Sequence, residues 1–281
     1  KCEKKRVNKR KTKIIMGGYF VVTYVDIIKK WKEKNIDSIE KLDQQLSNFR
    51  IIFAYNSGTI ENPQITYHDT REVFENGKVI NFSGDTRTIF EIENQKKCYN
   101  FLASKIITKD PITPEFIKEI HYQLMQGAYD ERRWERGERP GLYKIHDYVI
   151  GQSDQGALPE EVPSEIEELC DEILNIPDKG ENILKTAAYI HCKFENIHAF
   201  ADGNGRVGRT LMNYYLMINN YPPLVVYSET KDQYYKALDH YDNTGDITPF
   251  LNYMKKSLEK TWVLGQRQSP KNTLQDLHLE Q

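Results

Sequence analysis

The stretch His198-Ala199-Phe200-Ala201-Asp202-Gly203-Asn204-Gly205-Arg206-Val207-Gly208-Arg209 decides how this chain is read. Ahead of it Ile183, Leu184, Ala187, Ile190, His191 and Phe194 recur at mostly helical spacing, and behind it Leu211, Met212, Tyr215, Leu216 and Ile218 do the same. The polar run is therefore a helix–loop–helix junction. Gly203 and Gly205 permit positive φ and a close approach of backbone N–H groups, while the helix that follows offers unpaired N–H groups and its positive dipole end. Together they make an anion site.

The side chains around that site suit phosphate chemistry. Arg206 and Arg209, three apart, lie near one helical face and can grip phosphate oxygens as planar forks. Asp202, a lone carboxylate among cations, suits one coordination position of Mg²⁺, which usually takes its other ligands from water and substrate phosphates. His198 has an ordinary pKa near neutrality and can accept a proton from an incoming hydroxyl. Each residue alone is weak, because D-G-N-G is a common turn and a single histidine is usually structural. The ordered combination carries the argument.

That combination resembles the signature of the Fic family, H-x-F-x-(D/E)-G-N-G-R-x-x-R, and His198, Phe200, Asp202, Gly203, Asn204, Gly205, Arg206 and Arg209 match every fixed position. Members of that family commonly carry proline after the histidine. Ala199 here removes a φ restraint but no reacting group. The resemblance implies a mainly α fold, a Fic-type helical bundle with a short β-hairpin flap, that moves part of a nucleotide, usually AMP from ATP, onto a protein hydroxyl. It implies His198 as the general base, Phe200 as an anchor in the core and Asp202 as the holder of Mg²⁺. Gly203, Asn204 and Gly205 become the anion cradle, Arg206 a ligand on the β-phosphate side and Arg209 the residue that orients the γ-phosphate.

A second constellation lies upstream at Ser57-Gly-Thr-Ile-Glu61-Asn62 and matches (S/T)-x-x-x-E-(G/N), the inhibitory motif of many Fic proteins. Ser57 and Glu61, four apart, share a helical face. Resemblance then implies that Glu61 pairs with Arg209 and fills the space of the γ-phosphate. The competing reading is an ordinary helix C-terminus before Pro63.

Organisation follows from pattern. Residues 1–15 hold eight Lys or Arg against Glu3, so the rest of the chain is net acidic, which argues against nucleic acid as a partner. The basic arm has no apolar run behind it and reads as disordered rather than as a secretory signal. No apolar run approaches about 20 residues, so no membrane span is expected. Cys2, Cys98, Cys170 and Cys192 form no C-x-x-C pair, the pattern of reduced thiols in a cytoplasmic protein. After this arm the expected units are an N-terminal helical region with the inhibitory motif over 16–110, a catalytic core over 111–260 and a polar tail over 261–281.

Helical spacing runs over 39–55 and 89–106. Thr113-Pro114 and Thr248-Pro249 place a cap before a first-turn proline, and Ser164-x-x-Glu167 and Thr230-x-x-Gln233 read as capping boxes. Leu142 to Ile150 reads as a hairpin or an irregular pair of strands. In Fic proteins such a flap holds the target segment, which would assign Tyr143, Ile145, Tyr148, Val149 and Ile150 to target docking. Tyr234 and Tyr235 are candidates for the base pocket, with core packing as the competing reading.

The expected function is a self-inhibited adenylyltransferase using ATP and Mg²⁺ on a Tyr, Thr or Ser hydroxyl of a target protein whose identity the sequence does not give, its own chain included. Self-association is left open. The alternatives are the same fold removing AMP or transferring another phosphate-containing group, and a nucleotide-sensing interaction protein without turnover. Retention of both His198 and Asp202 weighs against the last.

Overall fold

The structure, a computed structural model, describes residues 15–16, 19–20, 22–79, 82–148, 156–176 and 182–264. Among them Ile15–Met16 (β1) pairs antiparallel with Tyr19–Phe20 (β2), and helices account for most of the rest. The mainly α reading holds.

The N-terminal region supplies α1 (Tyr24–Lys32), α2 (Ile39–Glu61), α3 (Tyr67–Asn76) and α4 (Thr86–Thr108). Leu42, Leu46 and Phe49 put a buried stripe along α2, and Ile92, Cys98, Leu102 and Ile106 do so along α4. Both helices start at side-chain caps, Ser38 accepting from Lys41 N–H and Asp85 from Arg87 N–H. Helix α2 runs on past the apolar stripe of 39–55 to Glu61 and carries Ser57 and Glu61 within it. Gly58 makes that continuation possible, because a Cβ there would stand 2.7 Å from the Ile65 side chain.

The following helices are α5 (Pro114–Met125), the short α6 (Glu131–Glu135), α7 (Val162–Leu174), α8 (Ile183–Ile197), α9 (Asn204–Ile218), α10 (Lys231–Thr244) and α11 (Thr248–Leu264). Helices α8 and α9 form the central pair, with α5, α4 and α2 against α9 and α7, α10 and α11 against α8. One contiguous cluster of buried apolar side chains runs from Ile27 to Leu258. Phe194, Phe200, Val207, Leu211 and Leu216 lie at its centre with no exposed surface. The junction loop is thus fixed from both sides by packing.

The start signals fared unevenly. Thr113 accepts from Phe116 N–H at 3.1 Å with Pro114 in the first turn, as expected, and α11 opens at Thr248-Pro249. The capping box at Ser164 does not form. Helix α7 already begins at Val162, and the Ser164 hydroxyl donates to the Glu161 carbonyl at 2.8 Å. Thr230 does precede α10, but its hydroxyl bonds to the Tyr227 carbonyl and the Tyr253 hydroxyl rather than to the helix end. Polar side chains near a helix start have several backbone acceptors in reach, and spacing alone does not choose among them.

No strand occurs among residues 142–148, so a hairpin is not seen there, and Val149 and Ile150 lie outside the described residues. Residues 1–14 of the basic arm and 265–281 of the tail lie outside them too. None of the described helices is long and apolar enough to cross a membrane. Cys98, Cys170 and Cys192 are buried free thiols.

Candidate active site

Helix α8 ends in a left-handed residue, His198 at φ +52°, whose N–H still bonds to the Phe194 carbonyl. That conformation is unusual for a residue with a Cβ and turns the chain sharply out of the helix. Gly203, at φ +85°, turns it back into α9. A Cβ at Gly203 would stand 2.6 Å from Met125 Sδ, so both conformation and space demand glycine.

Asn204 ties the loop shut from inside. Its Oδ1 accepts from Phe200 N–H at 2.9 Å, and its amide donates to the Phe200 carbonyl at 2.7 Å. Those bonds fix which end of the amide is which, so the 2.8 Å contact to His198 Nδ1 is a donation from Asn204 Nδ2. The neutral ring consequently carries its proton on Nε2. Burial first, and the nearby Lys144 ammonium second, push the His198 pKa down to about 4. The imidazole is neutral at physiological pH, as a base requires. The Asn204 side chain is thus committed to the loop and the His198 ring.

Asp202 is 20% exposed and surrounded by arginines. Oδ1 accepts from Arg206 Nη2 at 3.1 Å, Oδ2 from Arg87 Nη2 at 3.0 Å, and Arg133 Nη1 stands 3.9 Å away. Burial works to raise this carboxyl, but Arg206, Arg133 and Arg87 outweigh it and hold it below the usual carboxylate range. Arg206 is itself buried against Glu91 of α4, at 3.0 Å. Glu91 also accepts from Asn62 Nδ2 at 2.8 Å.

Arg209, 1% exposed, faces α2. Its Nε donates to Ser57 Oγ at 3.0 Å, and Nη2 donates to the Ser57 carbonyl at 3.0 Å and to Glu61 Oε1 at 2.7 Å. Burial opposes its charge, yet Glu61, Tyr234 and Glu195 together raise its pKa above the ordinary value. A Cβ on Gly205 would meet Glu61 Oε1 at 2.5 Å, so the Glu61 carboxylate lies directly over the first turn of α9. Sequence-expected residues from two distant segments therefore meet around one guanidinium. Asn62 does not join them and turns to Glu91 and Thr88 instead.

The segment expected as a flap touches the loop through its backbone. Lys144 N–H donates to the Ala199 carbonyl at 3.0 Å, and Ala157 N–H to the Ile197 carbonyl at 3.0 Å. Buried Glu138 ties down the next turn. Its carboxylate accepts from Ile145 N–H at 3.3 Å and from the Tyr148 hydroxyl at 2.9 Å, with His146 Nδ1 at 3.0 Å. Among residues 142–148 these bonds go to other parts of the chain and not to a cross-strand partner. Ile145 is left 57% exposed beside the loop, while Tyr143 packs on Phe200.

Tyr234 is buried, with its ring among His191, Phe250 and Tyr253 and its hydroxyl 2.9 Å from His191 Nε2 and 3.4 Å from Arg209 Nη1. Tyr235 is 42% exposed. The packing reading fits Tyr234, and of the two only Tyr235 offers surface to a ligand.

Several participants escaped sequence reading. His121 stacks on Phe200 at 3.8 Å and reaches the Asp202 carbonyl with Nε2 at 3.0 Å. Arg133 donates to the Ala201 carbonyl at 3.2 Å. Arg87 and Glu91, four apart on α4, had only their helical spacing as a signal.

Residues 111–216 match the model of the Fic/DOC family. Protein adenylyltransferase fic-1 of Caenorhabditis elegans is 27% identical over 210 residues, 74% of this chain and 39% of that protein. Protein adenylyltransferase Fic of Drosophila grimshawi is 30% identical over 211 residues, 74% of this chain and 41% of that one. The chain thus spans less than half the length of these curated relatives. Among solved structures, a Fic domain containing signaling protein from Bacteroides thetaiotaomicron superposes with a TM-score of 0.74 at 26% identity, covering 86% of this chain and 94% of that one. Fic-1 (residues 134–508) from Caenorhabditis elegans shares the fold, with a TM-score of 0.70 at 24% identity over 87% of this chain and 72% of that one. His198 to Arg209 thus lies within residues 111–216, the segment that matches the Fic/DOC family model.

Proposed function

We propose that this chain is a self-inhibited protein adenylyltransferase that transfers AMP from ATP to a Tyr, Thr or Ser hydroxyl of a protein, its own chain included. The observation that carries the reading is the 2.7 Å ion pair between Arg209, last residue of a complete Fic signature, and Glu61 of α2. A guanidinium suited to a terminal phosphate is already taken by an internal carboxylate. Relatives named protein adenylyltransferase support the choice of AMP as the transferred group.

In the step itself the target hydroxyl gives its proton to His198, and its oxygen forms a bond to the α-phosphorus. The bond from that phosphorus to the bridging oxygen breaks, and pyrophosphate leaves. The backbone of residues 203–205 holds the phosphate oxygens, and Arg206 and Arg209 neutralise the departing charge. No covalent enzyme intermediate is needed. To accept at Nε2, His198 must first move its own proton to Nδ1, which breaks the donation from Asn204. The resting loop therefore holds the ring in a tautomer that donates at Nε2.

No cluster of three or more His, Cys, Asp or Glu side chains able to hold a metal occurs among the described residues. Asp202 fits Mg²⁺ that takes its remaining ligands from ATP phosphates and water, because its carboxylate is charged and keeps 20% exposure at the loop. Bound there, the ion would neutralise phosphate charge. Tyr235 is the residue offered to the adenine, and Ile145 and Tyr148 to the target segment.

Glu61 is 32% exposed, so solvent screening reduces its pair with Arg209 to about 1–2 kcal/mol. Removing it should raise transfer by about tenfold. Incubation of wild type and Glu61→Gly with radiolabelled ATP and cell lysate tests this, with stronger labelling expected in the variant. Equal labelling removes the brake, and no labelling in either removes the transferase.

A further inference from the structure

Glu195 stands on α8, three residues before His198, and plays no part in the chemistry above. Its side chain is 18% exposed, but Oε1 is sealed from solvent and has no hydrogen-bond partner. A buried carboxyl oxygen without a partner calls for a reason. A Cβ on Gly208 would stand 2.4 Å from Glu195 Oε1, just as one on Gly205 would stand 2.5 Å from Glu61 Oε1. These glycines lie three apart on one face of α9, and each leaves room for one carboxylate. Glycine inside a helix is otherwise unfavourable. Arg209, next along α9, pairs with Glu61 at 2.7 Å and is joined to Glu195 through Tyr234 and His191: Arg209 Nη1 lies 3.4 Å from the Tyr234 hydroxyl, that hydroxyl 2.9 Å from His191 Nε2, and His191 Nε2 4.0 Å from Glu195 Oε1.

The titratable groups around Glu195 come from four elements: His191 on α8 at 4.0 Å, Arg209 on α9, Glu61 on α2, and Tyr234 and Asp242 on α10. Burial pushes the Glu195 carboxyl up to about 8, Arg209 pulls it down, and Glu61 and Asp242 push it up further. With Glu61 in place Arg209 is already neutralised, and Glu195 remains the neutral acid. When Glu61 departs, a cation with 1% exposure is left behind. A buried charge that loses its partner is strongly unfavourable. Of the remaining groups that raise Arg209, Tyr234 is neutral, its hydroxyl pushed far above neutrality by burial, so only Glu195 can supply a negative charge.

We propose that Glu195 is a stand-in counter-ion for Arg209: once Glu61 lets go, Glu195 releases its proton to solvent and holds the guanidinium ready until nucleotide phosphate arrives. This rests on the brake described above and deepens it. Glu195 is a positioning residue that acts through Arg209. It lowers the free energy of the opened state and so sets how readily the brake releases.

Thermal unfolding of the nucleotide-free full chain tests the proposal in wild type, Glu195→Gln, Glu61→Gly and the double variant. Glutamine is isosteric with the neutral acid and needs no proton to fold, so Glu195→Gln should raise the wild-type Tm at neutral pH. In the Glu61→Gly background, where the Glu195 carboxylate serves Arg209, that rise should be smaller by about 2–4 °C. That gap should close as acid reprotonates Glu195, which a purely packing role would not produce. Equal shifts in the two backgrounds, or a gap independent of pH, overturn the proposal. If Glu61→Gly does not fold, Glu61→Gln takes its place in the same cycle. The measurement needs no turnover, so its failure is distinct from failure of the labelling experiment.

Discussion

His198 and Asn204 show how much a single side chain can settle. The histidine is held at φ +52° in a loop tied from inside by the Asn204 bonds to Phe200 and to the ring. Replacing His198 by alanine removes the proton acceptor and none of the cradle. Transfer should be lost while ATP affinity, read by calorimetry in the Glu61→Gly background, changes little. Lost binding would mean that the ring shapes the cradle. Asn204→Ala removes three bonds, two of them from buried backbone groups of Phe200, and should cost about 2–3 kcal/mol in urea unfolding. A change under about 0.5 kcal/mol, the range of ordinary surface substitutions, would mean that the loop is held by packing alone. The motif residues were legible because their chemistry is compressed into twelve consecutive positions. Arg87, Glu91, Arg133 and His121 were not, because their partners lie 68 to 115 residues away and no local pattern marks them.

At the scale of elements, helix periodicity was the reliable guide and local chemistry at the ends was not. The stripes over 39–55 and 89–106 became α2 and α4, because apolar spacing states which face is buried. Helix α2 runs on through Gly58, where Ile65 fills the space its missing Cβ leaves, and ends before Pro63. The hairpin expected after Gly141 is not seen among residues 142–148, and β-branched and aromatic residues mark a segment that wants partners without naming them. Here the partners are the Ala199 carbonyl and Glu138. Gly203 tests the turn between α8 and α9. Gly203→Ala introduces a Cβ at φ +85° against Met125 Sδ and should destabilise the fold by about 1–3 kcal/mol. Pairing it with Met125→Ala should recover only the steric share. Full recovery would show that the backbone conformation carries no strain.

For the whole molecule, the buried titratable groups set a pH dependence whose sign can be derived. His121 and His191 are pushed by burial down to about 3, and His198 to about 4. An unfolded histidine titrates near 6.5, so as pH falls below that value the unfolded chain binds protons that the folded chain refuses. Stability is complete above about 6.5 and is lost on the way down toward 4, by about 2 kcal/mol per histidine at pH 5. Glu195 acts in the opposite sense. Its folded pKa of about 8 lies above the usual value, so it destabilises the fold at neutral pH and returns roughly as much as one histidine takes when pH drops to 5. Two histidines remain uncompensated, and the net loss between pH 7 and pH 5 should be about 3–4 kcal/mol. Urea unfolding at pH 7, 6 and 5 should show a falling midpoint with an unchanged slope. Glu195→Gln removes the compensating group, since glutamine does not titrate, and should make the midpoint fall more steeply. A flat profile in wild type would mean that the histidines charge within the folded chain, and the neutral His198 on which proton acceptance depends would fall with it.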